Sequence, residues 1–157
     1  MVPRRLTAEQ LFDAIMVAAG SPVTLPGVPA GFRATQLPDP NIQIGFLDMF
    51  GRPPREIPCE CERSPDVSLA QTLNLINGPT IADAIVHPQG RIARTIAAKA
   101  DDKTLIEEVY LSVINRPPTP DELQKSLAYF TTVETKSEAA QDLMWALMNS
   151  PALLFIR

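Results

Sequence analysis

The residues whose types and spacing best suit chemistry lie in one short stretch, from Phe50 to Arg63. This stretch contains both cysteines of the chain, Cys59 and Cys61. A Cys-x-Cys pair can supply two thiolates to a metal ion, and His87, the only histidine, would add a third ligand. Structural zinc sites normally take four protein ligands. We therefore predict no metal site and name Cys59, Cys61 and His87 as the candidate ligands if one exists.

The same stretch also supports a redox interpretation, because its two thiols lie among charged residues that would tune their reactivity. A disulfide between cysteines two residues apart would close a small, strained ring and would be readily reduced. The interpretation that we favour is structural, with one thiol buried and the charged side chains paired. We call six charged residues the Arg–Glu knot and predict that they hold an irregular loop: Arg52, Arg55, Glu56, Glu60, Glu62 and Arg63.

No other group of residues indicates catalysis. The sequence has no nucleophile-elbow serine and no glycine-rich phosphate loop, and its single histidine cannot by itself be assigned to a triad. The carboxylate pairs 101–102 and 107–108 fit a helix start and a solvated helix face better than acid–base work. Tyr110, Phe130 and Trp145 lie on or beside apolar stripes, so we assign them to the core. We predict no catalytic residue and no cofactor, which leaves enzymatic activity undecided and favours its absence.

The composition limits the classes of partner. With 45% apolar and 20% charged residues in a chain of 157, it is typical of one globular domain. The formal net charge is −4 and no basic stripe is present, which excludes the phosphate backbone of nucleic acid as a partner. No apolar run approaches the roughly 20 residues needed to span a bilayer, so we predict no membrane insertion.

Apolar spacing and capping signals predict about eight short helices. The first begins after Thr7, which fits a capping box with Gln10, and ends at Gly20. The helix with the widest apolar stripe spans residues 102–115, and the next begins after Thr119 as N-cap. The other predicted helices cover residues 44–50, 68–76, 81–87, 92–100, the stretch after Ser137 through Met148, and 152–156. The predicted fold class is all-α, an irregular orthogonal bundle.

Residues 21–63 interrupt the helical pattern. Nine of the 16 prolines fall between Pro22 and Pro65, and the fixed φ and missing N–H of proline exclude long helices there. A flexible linker is the competing interpretation. Ten apolar side chains instead favour an ordered segment that wraps across the helices: Leu25, Val28, Phe32, Leu37, Ile42, Ile44, Phe46, Leu47, Met49 and Phe50. We therefore predict one helical domain over residues 1–157, with residues 21–63 as an extended proline-rich wrap within it.

Four stretches of the sequence resemble a known family. They are Arg-Leu-Thr-Ala-Glu-Gln-Leu at 5–11, Phe-Gly-Arg-Pro-Pro-Arg-Glu at 50–56, Cys-Glu-Cys-Glu-Arg-Ser at 59–64 and Asn-Arg-Pro-Pro-Thr-Pro-Asp-Glu-Leu at 115–123. Together they are similar to the planctomycete-type PSD domain of unknown function. The resemblance implies the C-terminal part of a larger, extracytoplasmic protein, often one with a c-type cytochrome domain. It implies no catalytic residues, because none are established for the family.

These observations lead to one favoured function and two alternatives. We favour a non-enzymatic structural or interaction module, whose partners are the upstream domains of its parent protein or a second copy bound through a surface exposed by truncation. The first alternative is a redox or metal site at Cys59 and Cys61 that serves a neighbouring haem domain. The second is a role in carbohydrate processing, which rests on the family context alone.

Overall fold

The fold of this chain is all-α, as the sequence predicts. The computed structural model describes residues 4–29, 31–37, 42, 44–50 and 78–156. The helices in these residues are α1 (Ala8–Ala19), α2 (Gly45–Met49), α3 (Pro79–Val86), α4 (Arg91–Ala97), α5 (Asp102–Ile114), α6 (Pro120–Phe130), α7 (Lys136–Met148) and α8 (Pro151–Leu154), with a 3₁₀ turn at Ala34–Gln36. The helix predicted at residues 68–76 lies outside the described residues.

Side-chain caps begin the helices where the sequence indicated. The side-chain oxygens of Thr7 and Thr119 each accept a hydrogen bond from the N–H three residues later, and the side-chain oxygens of Gln10 and Glu122 each accept one from the N–H of the capping threonine. Both capping boxes are therefore confirmed. At its other end α1 is closed by Gly20, whose φ of 63° is left-handed and favours glycine.

Helix α5 forms the centre of the core. It packs against α1, α6 and α7, and its buried face consists of Leu105, Ile106, Val109, Tyr110 and Val113. The prediction of a buried central helix is therefore confirmed. Its wide apolar stripe buries side chains on several sides because α5 has helical neighbours around much of its circumference. Among the described residues, no helix has the length and apolar character that crossing a bilayer requires.

The two ends of the described chain form a short antiparallel pair. Strand β1 (Arg4–Arg5) pairs with strand β2 (Phe155–Ile156), and the N–H of Leu6 donates to the carbonyl of Leu154 at 3.1 Å. The predicted continuation of the final helix to residue 156 is wrong, because α8 ends at Leu154. Strand β2 satisfies backbone groups of β1, a strand 150 residues away in sequence. No local sequence pattern can reveal this pairing.

The described part of the proline-rich segment lies against α1. The Asp13 carboxylate accepts hydrogen bonds from the N–H of Ala34 at 2.7 Å, the N–H of Thr35 at 3.1 Å and the Thr35 hydroxyl at 2.8 Å. These bonds fasten the 3₁₀ turn to the helix. Apolar side chains of the segment are buried nearby: Leu25, Ala34, Phe46, Leu47 and Phe50. Phe32 and Met49 stay partly exposed.

Three phenylalanines connect α2 to α1. The rings of Phe46 and Phe50 stack with centroids 4.3 Å apart, and Phe12 meets Phe46 at 5.7 Å with a tilt of 60°. The guanidinium of Arg5 lies 5.3 Å from the centroid of Phe50, and partial burial lowers the pKa of Arg5. The aromatic rings thus give a five-residue helix the apolar contacts that its own length cannot provide.

Candidate functional site

The residues first considered for chemistry divide into two groups. Cys59, Cys61 and the whole Arg–Glu knot lie outside the described residues, so the metal, redox and knot hypotheses stay predictions. His87 is described and ends α3, where its Nδ1 accepts a hydrogen bond from the N–H of Gln89 at 3.1 Å. Within the described ranges, no three His, Cys, Asp or Glu side chains are grouped so that they could hold a metal ion. The hydrogen bond from Gln89 places the His87 ring in the turn between α3 and α4.

The carboxylate pair 101–102 begins α5. Asp101 accepts a hydrogen bond from the N–H of Thr104 at 3.0 Å. Hydrogen bonding by the Thr104 side chain, and then by this N–H, lowers the pKa of Asp101. Asp102 pairs with Lys136 at 2.8 Å, and the Lys136 ammonium also donates to the carbonyl of Ala100. The interpretation of this pair as cap and surface charge agrees with the structure.

Only one carboxylate of the second pair, 107–108, joins different helices. Glu107 lies 3.8 Å from Lys103 on the solvated face of α5. Glu108 instead forms an ion pair with Arg91, whose guanidinium also donates to the carbonyls of Ala18 at 2.8 Å and Val17 at 3.1 Å. The carbonyl of Val17 also accepts a hydrogen bond from the N–H of Gly20 at 3.1 Å. Because both carbonyls lie in the last turn of α1, Arg91 joins the end of that helix to α4 and α5.

A bidentate ion pair organises the turn before α6. The guanidinium nitrogens of Arg116 lie 2.7 Å from the two carboxylate oxygens of Glu122, and the N–H of Thr119 donates to Glu122 at the same distance. The hydrogen bond from Arg116 is the main reason that the pKa of Glu122 falls to about 2. The pKa of Arg116 is raised by the same contact, and its guanidinium lies 5.9 Å from the ring centroid of Tyr110. The arrangement explains the helix start rather than a reaction.

An open groove between α6 and α7 is a feature of the described surface that suits binding. Its volume is about 500 Å³. We call it the α6–α7 groove; its lining consists of Lys125, Ser126, Tyr129, Phe130, Asp142, Leu143, Trp145 and Ala146. Phe130 is buried, whereas Tyr129 is 43% and Trp145 40% exposed. Two large aromatic side chains thus remain accessible beside an open depression.

Polar contacts fix part of the groove wall. The Tyr129 hydroxyl donates to Oδ2 of Asp142 at 2.7 Å, which bridges α6 and α7 and raises the pKa of Tyr129. The Ser126 hydroxyl donates to the carbonyl of Glu122 at 2.8 Å, so this side chain serves its own helix. The bridge holds the Tyr129 ring and the Asp142 carboxylate at the groove, where both line the depression.

The placement of Trp145 corrects the sequence analysis, which assigned it to the core. Tyr110 and Phe130 are buried as predicted, but Trp145 is not. The buried face of α7 carries Ala140, Met144 and Met148 at helical spacing. A residue one position after Met144 is rotated about 100° from that face. The spacing of the buried residues on α7 therefore indicated an exposed Trp145. The core assignment was wrong because it relied on residue type alone.

The groove lies on an acidic part of the molecule. Residues 119–148 contain five acidic side chains against two basic ones, and the whole chain has a net charge of −4. Glu122 is paired with Arg116 and Lys136 with Asp102. We call residues 119–148 the α6–α7 hairpin; its other charged side chains are all exposed, and only one of them is basic: Asp121, Lys125, Glu134, Glu138 and Asp142.

Comparison with known proteins identifies a family. The family model described as PSD1, protein of unknown function (DUF1553), matches residues 1–130. No curated protein and no solved structure matches the chain. The match confirms the resemblance seen in the sequence, and it ends with α6, so α7 and Trp145 lie beyond the matched residues. The extracytoplasmic setting and the carbohydrate role stay predictions.

Proposed function

We propose that this chain, which belongs to the PSD1 family, is a non-enzymatic interaction module. In this proposal it contacts a protein partner through the α6–α7 groove. The observation that carries the proposal is the exposure of Trp145 and Tyr129 beside that groove. Trp is highly buried on average in folded proteins, and aromatic residues are enriched in the centres of protein interfaces. A partner that covers both rings would remove apolar surface from water without reshaping the core.

The state of the ionisable side chains supports an interaction role over a reaction. Arg91, Arg116 and Lys136 are engaged in ion pairs that join helices or begin them. Asp13 and Asp101 accept hydrogen bonds from backbone N–H groups. Side chains used in this way stabilise the fold in one geometry, which suits a module that presents a rigid surface.

The parent protein supplies the first partner to test. In line with the family resemblance, we propose that the chain is part of a larger extracytoplasmic protein and that the groove receives an upstream domain of it. A homodimer through the groove is the competing arrangement. Both arrangements would bury Trp145, and they differ in whether the purified chain associates with itself.

The single tryptophan makes the proposal directly testable. When the chain is labelled with 5-fluorotryptophan, its one ¹⁹F resonance should shift on addition of the purified upstream part of the parent protein. Calorimetry should show at least about tenfold weaker binding for Trp145→Ala, as expected for an interface hot spot. Leu111→Ala is the matched control, because Leu111 is 46% exposed on α5 and does not line the groove.

Two outcomes would change the conclusion. Equal affinity of wild type and Trp145→Ala would show that the groove is not the contact surface. Concentration-dependent self-association, measured by light scattering and abolished by Trp145→Ala but not by Leu111→Ala, would make a second copy the partner.

A further inference from the structure

The groove also carries information about the chemistry of its partner. Resting on the proposed function, we infer that the α6–α7 groove selects a basic amphipathic segment, in which lysine or arginine side chains flank an apolar face. This inference rests on an aromatic wall, formed by Trp145 and Tyr129, and on the Asp142 carboxylate, which lines the same groove. The exposed charged side chains of α6 and α7, taken together, are mostly acidic. Neither the aromatic wall nor the acidic charge would by itself define the partner.

The local geometry of the α6–α7 groove suits a cation. Asp142 and Trp145 lie three positions apart on α7, so their side chains share a face of the helix. Both line the groove, and the Tyr129 hydroxyl holds the carboxylate at 2.7 Å. An indole face is the best aromatic partner for a guanidinium or ammonium group, and a nearby carboxylate adds its charge. One basic side chain can therefore use both contacts.

The exposed charged side chains of the α6–α7 hairpin are mostly acidic. Asp121, Glu134, Glu138 and Asp142 are exposed on the hairpin that forms it, against the single exposed cation of the hairpin, Lys125. Complementary potential at an interface increases association rates and rejects partners of the same sign. The surface thus favours a basic partner and disfavours phosphate groups of nucleic acid or anionic lipid.

The lengths of α6 and α7 suit a protein segment as the occupant of the groove. The groove runs between helices of 11 and 13 residues, which span about 16–20 Å at 1.5 Å per residue. Amphipathic helices bind such grooves through apolar side chains of their own that lie one and two turns apart. Phe130 and Trp145, which line the groove, offer apolar surface to side chains spaced in this way. In a two-fold dimer the same acidic hairpin would face itself, so like charges oppose a second copy of this chain.

The test uses the intact chain and two synthetic peptides of about 14 residues without tryptophan. Both peptides have leucines at positions i, i+3, i+4 and i+7, and they differ only in carrying lysine and arginine or glutamate at the flanking positions. Trp145 fluorescence reports binding at the groove, because it is the only tryptophan. We expect at least about tenfold tighter binding of the basic peptide at about 50 mM salt, decreasing steeply towards about 500 mM.

Charge-removing variants localise the effect. Asp142→Asn and Glu138→Gln should each weaken binding of the basic peptide about threefold or more. Asp142→Asn keeps a side-chain oxygen that can accept a hydrogen bond from the Tyr129 hydroxyl. Glu107→Gln on α5 is the matched control, since it removes a half-buried surface charge outside the groove. Unchanged melting temperatures would show that the variants keep the fold.

The results separate this inference from the proposed function. If the two peptides bind equally, or if the acidic peptide binds more tightly, the charge selection is refuted while the groove stays an interaction site. If neither peptide changes Trp145 fluorescence, the inference is overturned as well. In that case the titration with the upstream part of the parent protein still decides the proposed function by itself.

Discussion

Replacing Glu122 with glutamine tests how the turn between α5 and α6 is stabilised. The variant keeps an amide oxygen that can accept the Thr119 N–H, but it loses the charge that pairs with Arg116 at 2.7 Å. The pKa of Glu122 falls from an ordinary 4.5 to about 2, mainly because Arg116 donates to its carboxylate. A depressed carboxyl pKa means that the folded state is stabilised by the ionised form.

The size and sign of the effect follow from that pKa. If the whole shift were expressed as stability, it would correspond to about 3 kcal/mol. Glu122 is 33% exposed, and exposed ion pairs are weakened by solvent, so we expect about 1 kcal/mol at neutral pH. The contribution is complete above the unfolded pKa of 4.5 and is lost as the pH falls from there towards about 2.

Urea unfolding of wild type and Glu122→Gln at several pH values measures this contribution. The difference in the free energy of unfolding should be about 1 kcal/mol near pH 7 and should shrink below about pH 4. Glu107→Gln is the control, because its partner Lys103 lies 3.8 Å away, and it should cost less than about 0.5 kcal/mol. A difference that stays constant between neutral and acidic pH would refute the ion pair as its source.

Three further changes test other parts of the fold. Val109→Ala should lower the free energy of unfolding by about 1–3 kcal/mol, because it leaves a cavity in the centre of the core, and a loss of only a few tenths would show that α5 is not central. Asp13→Ala should cost about 1–3 kcal/mol and speed amide exchange at Thr35, and unchanged exchange would exclude the proposed anchor. Arg91→Ala should cost about 2 kcal/mol in urea unfolding, since the carbonyl of Ala18 loses its donor, and an effect within experimental error would contradict that role.

Local signals in the sequence were sufficient for the helix starts and for the centre of the core. A capping threonine, a proline at the first helical position and a glutamate three residues after the cap act within one turn, so Thr119 could be recognised without the rest of the chain. The apolar stripe of α5 is similarly a property of one helix. The family resemblance also needed only the linear sequence, and the match over residues 1–130 confirms it.

The candidate site was not predicted, because its parts come from two helices. Sequence reasoning gave most weight to Cys59 and Cys61, whose types suggest chemistry, and assigned Trp145 to the core by type. A groove depends on how far apart two helices pack and on which side chains face outward, and these are tertiary quantities. The spacing of the buried residues on α7 indicated an outward Trp145, but not that Tyr129 and Asp142 would lie beside it.

The sequence by itself therefore determined the class of fold, the helix boundaries set by caps, and the family. Only the tertiary structure decided which distant groups meet: β1 with β2, Asp13 with the 3₁₀ turn, and Arg91 with the end of α1. The physical reason is the range of the interactions. Caps and apolar periodicity act over three or four residues, whereas these contacts join groups that only the packing of the whole core brings within hydrogen-bond distance.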